Sequence, residues 1–364
     1  MLAGGTPTAA APAARDEFVD TVRAAAILRV VAVHALNPLG WLWWPAPYWL
    51  MPGMPLVFFC SGALMLTSLE RKPQAQWTVV RGRLRRLLVP CIAVLVAMVA
   101  ISALLAAVTG RARYQLDWSG WYRWLIWDVP APSAAVRAHD GQMWFVGTFT
   151  ILLAVSPLLV RLHRRGLALP AALAFGLGIA FFVRQPGQAL NHLGMYAPFF
   201  CAGFYYGDGT LVRVRERQGA RPFLVATFLL AALSVVVFLR DGRNPNAAIT
   251  SALTVATAWL MLLLAARPAV QALGRRWNRG VRWVSNRTLS IYLAGWPAAQ
   301  AARRTANALF GVDELGSARW TVVFLGLTVV LLAAGTALIH PLEKLARRPP
   351  KEWFRPEREL LSTS

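Results

Sequence analysis

Runs of roughly 17 to 25 apolar residues recur along this chain, separated by short clusters of arginine. The pattern places helices over residues 23–41, 49–69, 87–108, 143–160, 168–183, 193–206, 222–239, 247–266, 288–310 and 320–339. Each run is too long and too evenly apolar for a tilted barrel strand, so helices are the expected spanning element. The expectation is an all-α, polytopic integral membrane bundle of about ten transmembrane helices. The 193–206 run is short and can extend back through Ala189; the 288–310 run contains Pro297 and the pair Arg303 and Arg304.

Composition agrees with this class. Of 364 residues, 57% are hydrophobic and only 15% charged, well outside the range of an ordinary soluble domain. The formal net charge of +22 raises the possibility of nucleic-acid binding, but its distribution argues against that partner. With the N-terminus in the cytoplasm, the even-numbered connections and the tail hold 25 of the 38 Lys and Arg residues, as cytoplasmic loops should. Both termini are therefore expected inside, in a multi-pass protein of the cell membrane. Arginine in place of nearly all lysine fits a GC-rich bacterial genome.

Three regions follow from the same pattern: residues 1–18 as a disordered lead-in, 19–345 as the membrane domain, and 346–364 as a basic cytoplasmic tail. The lead-in is rich in Ala, Pro, Gly and Thr and lacks the basic-then-apolar order of a cleavable signal. Cys60, Cys91 and Cys201 lie in apolar runs without metal-ligand spacing and read as packing residues. No metal site is expected. The connection 110–142 carries Tyr114, Trp118, Trp121, Tyr122, Trp124 and Trp127, which suits a segment at the membrane surface. A carbohydrate-stacking platform or a lid over a site is the other reading of those rings.

The first run holds the most informative polar residues. His34 follows Arg23 by eleven positions, which places the two within roughly 20° of one helix face and about 16 Å apart along the axis. Asp20 precedes Arg23 by three and can pair with it; Asn37 follows His34 by three. Ionisable groups in a span are costly and face a cavity or a partner. Imidazole exchanges a proton near neutral pH, so His34 suits a general base toward a hydroxyl. Arg29 lies about 120° from Arg23, off the stripe, and is expected to pair within the bundle.

The stretch "DTVRAAAILRVVAVH" resembles the opening of the acyltransferase family 3 membrane proteins. In that family an acidic residue, an arginine and, after ten intervening residues, a histidine regarded as catalytic occupy the positions of Asp20, Arg23 and His34. "PLVFFCSGALM", "RGRLRRLLVP", "MWFVGTFTILLAVSPLL", "APFFCAGFYYG" and "LSIYLAGWP" resemble its later segments in order. The chain departs from the family pattern at Ala24, where glycine is common, and at Gln142 and Gly295, where histidine is often found.

The resemblance implies transfer of an acyl group, often acetyl, from cytoplasmic acyl-coenzyme A to a hydroxyl on a sugar, glycan or other cell-envelope acceptor. Acyl-coenzyme A, with acetyl-coenzyme A the leading form, would act as co-substrate, with no bound cofactor, and His34 would either deprotonate the acceptor hydroxyl or take up the acyl group transiently. Arg81, Arg83, Arg85 and Arg86 form a cationic cluster suited to its phosphates. Arg83 and Arg86, three apart on one face, are the expected donor contacts; Asn37, Gln142 and Trp144 are the expected acceptor contacts. No appended hydrolase-like domain follows, so the membrane domain or a separate protein is expected to complete the transfer. Membrane lipid is an expected partner, and no protein partner can be named. A transporter or flippase for an envelope precursor is the alternative, and a lipid-binding scaffold a third reading.

Overall fold

In the computed structural model, residues 15–36, 52–110, 144–183, 188–241, 249–311, 315 and 317–348 are described. Among them lie thirteen α-helices and no strand. In chain order these are α1 (Glu17–Leu36), α2 (Gly53–Glu70), α3 (Gln76–Thr109), α4 (Trp144–Arg164), α5 (Ala168–Phe182), α6 (Gln188–Gly207) and α7 (Thr210–Gln218). They continue as α8 (Arg221–Asp241), α9 (Ile249–Ala265), α10 (Arg267–Arg276), α11 (Asn278–Asn286), α12 (Thr288–Phe310) and α13 (Ala318–Arg347).

Among the described residues, every run expected from the apolar pattern coincides with a helix, and α7, α10 and α11 are short additions rich in arginine. Five helices, α2, α3, α4, α8 and α13, are long and apolar enough to cross a membrane. α9 and α10 together would make a sixth span, bent by 74° at Ala266. α1, α6 and α12 are also at least 20 residues long, yet they carry polar side chains among the apolar ones. The surface tells the same story as the lengths. Phe228 and Leu239 on α8, Val108 on α3 and Leu338 on α13 are all exposed, an apolar belt that water would not tolerate and lipid would.

The short run 193–206 does extend back through Ala189: α6 begins at Gln188 and takes His192 into the helix. One helix boundary that matters differs from expectation. α1 begins at Glu17, inside the segment expected as lead-in. Asp16 explains that start: its Oδ1 accepts from the backbone N–H of Phe18 at 2.9 Å, which satisfies an orphan donor of the first turn. Phe18 is fully buried and stacks on Tyr206 at 5.2 Å. Most of the remaining lead-in, most of the tail and residues 111–142 of the aromatic connection lie outside the described residues.

The core centres on α2 and α6. Their backbones touch because small residues face each other: a Cβ on Gly62 would fall 1.9 Å from the carbonyl oxygen of Phe200, and one on Gly203 would fall 2.2 Å from that of Phe59. Gly203 and Gly207 are four apart, the small-residue spacing that lets membrane helices approach. Phe58 fills the adjoining space, stacked on Tyr196 and edge-on to Phe145 and Phe149. The three cysteines are buried and free, as packing residues. α12 and α13 pack closely, with a second cluster of Ala302, Ala306, Trp320 and Phe324. Ser317 caps α13 by accepting from the N–H of Trp320.

Candidate active site

The polar end of α1 is fixed by a network that reaches across the chain. Asp20 is buried, and its Oδ1 accepts from Arg23 Nη2 at 3.2 Å and from Ser285 Oγ at 2.7 Å. Arg15 closes on the other carboxylate oxygen. Arg23 in turn donates its Nε to Ser285 Oγ at 3.0 Å, and its Nη2 also reaches that hydroxyl. The carboxylate, the guanidinium and the hydroxyl thus hold one another in a fixed geometry, with the buried charge paired and hydrogen-bonded.

Arg23 lines a cavity of about 350 Å³. α3 contributes Arg83 and Arg86, α11 contributes Ser285 and Asn286, and α13 contributes Glu343 and Arg347. Four arginines face one glutamate there, so the field in the cavity favours an anion. Arg83 is anchored to α2: its Nη2 donates to the carbonyl of Leu64 at 2.9 Å and to Ser68 Oγ at 2.6 Å. Glu343 is held by Ser290 Oγ, which donates at 2.8 Å, and by Arg347 at 3.4 Å. Apart from Ser61 and Thr288, the remaining wall is apolar and aromatic, including Ile27, Leu87, Phe149 and Tyr292.

The other two arginines of the basic cluster are elsewhere. Arg85 donates its Nε to the carbonyl of Ala346 at 2.8 Å and its Nη2 to that of Arg347 at 3.4 Å, where it satisfies the C-terminal carbonyls of α13. Arg81 is exposed and does not line the cavity.

His34 lies in the last turn of α1, whose unbroken helix keeps it about 16 Å beyond Arg23 along the axis. Asn37 and Gln142 lie outside the described residues. Trp144, the first residue of α4, is not at the arginine cavity. Its ring lies 4.1 Å from that of His192 and stacks on Tyr196 at 5.2 Å. Arg29 leaves the Arg23 stripe as its angular offset requires, toward the seam where α2 begins: a Cβ on Gly53 would lie 3.4 Å from its Cδ.

Several residues of this architecture were not legible as site residues. Ser285 sits in a short helix read only as a basic connection. Glu343 and Arg347 fall after the last apolar run. His192 lies one residue outside the run expected for α6; it is buried, and its Nδ1 has no hydrogen-bond partner. A polar residue at the edge of a span is the signal that would have found it. Gly295, where the family often has histidine, packs on α1: a Cβ there would come 2.9 Å from Val31 Cγ2, so a larger side chain requires Val31 to shift.

The fold is that of a multi-pass membrane protein. A family model of the acyltransferase 3 domain matches residues 16–339, and the chain belongs to that family, which is made up of acyltransferases. No curated protein and no solved structure matches the chain.

Proposed function

We propose that this acyltransferase takes its acyl group, with acetyl the leading candidate, from cytoplasmic acyl-coenzyme A and delivers it to a hydroxyl of a sugar, glycan or other cell-envelope molecule. The observation that carries the donor half is the cavity that gathers Arg23, Arg83, Arg86 and Arg347 against the single carboxylate of Glu343. A polyanionic donor with an apolar arm suits such a site, because guanidinium groups hold phosphate through paired hydrogen bonds while the apolar wall takes the arm. The bundle crosses the membrane ten times with both termini in the cytoplasm, so the arginine cavity opens inward and His34 stands toward the outer side.

In the reaction, phosphates rest near Arg83 and Arg86, and the arm extends along α1 toward His34. His34 takes the proton of the acceptor hydroxyl as its oxygen attacks the thioester carbonyl. The carbon–sulfur bond breaks, coenzyme A leaves as thiolate, and the imidazolium returns the proton to it. Arg23, held by Asp20 and Ser285, keeps the donor in register. Asn37, Gln142 and Trp144 belong to the acceptor side. Membership of an acyltransferase family favours this reading over a carrier.

The test is direct. Protein reconstituted in lipid vesicles should release free coenzyme A from acetyl-coenzyme A when an envelope polysaccharide is supplied. Movement of a solute across the vesicles with no donor binding would overturn the proposal.

A further inference from the structure

α10 and α11 are unlike the other helices of the bundle. The segment 267–287 contains six arginines and no acidic residue, and each of the two helices is short. Both pack on α1. Arg275 ties the pair to α1 through Glu17 at 3.0 Å, and Ser285 ties it through Asp20 and Arg23. Val281, Val284 and Ser285 point inward from α11, and Ser285 is buried.

The outward face of α11 is the informative one. Arg279, Arg282 and Trp283 are all exposed and fall within an arc of about 100°. Trp283 is 48% exposed on this arginine face, rather than on the face that packs inward. Arg287 lies over its ring at 4.8 Å. Trp277, between the two helices, is 62% exposed, and Leu273 and Arg276 share the outward face of α10. Among the described residues, Arg276, Arg279 and Arg282 form no ion pair. An exposed face meeting only water needs neither two tryptophans nor an acid-free row of arginines; the headgroup layer of a membrane accommodates both.

We infer that α10 and α11 form an interfacial foot that binds anionic lipid headgroups through Arg276, Arg279 and Arg282, with Trp277 and Trp283 set at headgroup depth. Charge complementarity selects this occupant: an acid-free cationic face carrying amphipathic rings matches an anionic bilayer surface. The foot also carries Ser285, so headgroup contact steadies the helix from which the Asp20 and Arg23 network is held. The lipid contact does not depend on which reaction the site performs.

Hydrogen–deuterium exchange tests it on the full chain in nanodiscs holding one copy each. One set contains phosphatidylcholine alone, the other phosphatidylcholine mixed with phosphatidylglycerol. Each headgroup–arginine contact is worth about fivefold in local affinity, so exchange over residues 277–286 should be at least about tenfold slower in the anionic discs. Added salt should shrink that difference, and so should Arg279→Gln with Arg282→Gln. Protection of α2 and α6 reports whether the double variant is folded, and the wild-type comparison stands without it. Equal exchange in both lipids overturns the inference. So does protection that tracks a second copy of the chain in larger discs while ignoring lipid charge.

Discussion

The two ends of the α1 neighbourhood are built on opposite terms. Around Arg23, charged groups are numerous and held in place: Asp20 accepts from three side chains, Arg83 is anchored to α2, and Glu343 is bound by Ser290. Around Trp144 there is a stack of flat rings with His192 and Tyr196, and His192 keeps a buried nitrogen without a hydrogen-bond partner. A preorganised charged cavity suits an anionic ligand, since its dipoles need not reorganise on binding. A flat apolar stack suits the ring face of a neutral one. Under the proposed function, the donor would go to the first region and the acceptor to the second.

Substitutions can break that division. Arg83→Ala removes a charge-assisted contact, and coenzyme A should bind about 10- to 100-fold more weakly by isothermal titration calorimetry, with acceptor KM little changed. Glu343→Gln acts in the opposite sense. Losing the one carboxylate in the cavity should tighten coenzyme A binding about fivefold, and weaker binding would mean that the carboxylate organises the arginines instead of opposing the anion. Ser285→Ala leaves every charge in place but frees Arg23 on one side. It should weaken coenzyme A about threefold, and Ser285→Thr, which keeps the hydroxyl, should restore it. Trp144→Ala should leave coenzyme A affinity untouched while raising acceptor KM about threefold; a change in donor affinity of similar size would merge the two regions.

Local spacing made part of this site legible. Asp20 and Arg23 are three apart on one helix and do pair; Arg83 and Arg86 are three apart and do line one cavity. Contacts made across the chain were not legible. Ser285 meets Arg23 from 262 positions away, and nothing in "NRGVRWVSN" marks that hydroxyl as different from another loop serine. Arg85 shows the converse limit. It lies two residues from Arg83 in the same basic run, yet its helix face turns it to the end of α13. The helices themselves were readable because apolar runs of spanning length have few other uses, whereas the short helices α10 and α11 are too polar and brief to register as apolar runs. Their amphipathic faces become meaningful only once α1 is seen to occupy the inward one.

The central claim is that donor binding and proton transfer are separate duties placed along α1, the first at the arginine cavity and the second at His34. The decisive measurement pairs coenzyme A affinity with acetyl-coenzyme A turnover in His34→Ala, reconstituted in lipid. Donor affinity should stay within about twofold of wild type while turnover falls about 10² to 10⁴-fold. Turnover near the wild-type rate in the folded variant would contradict that claim.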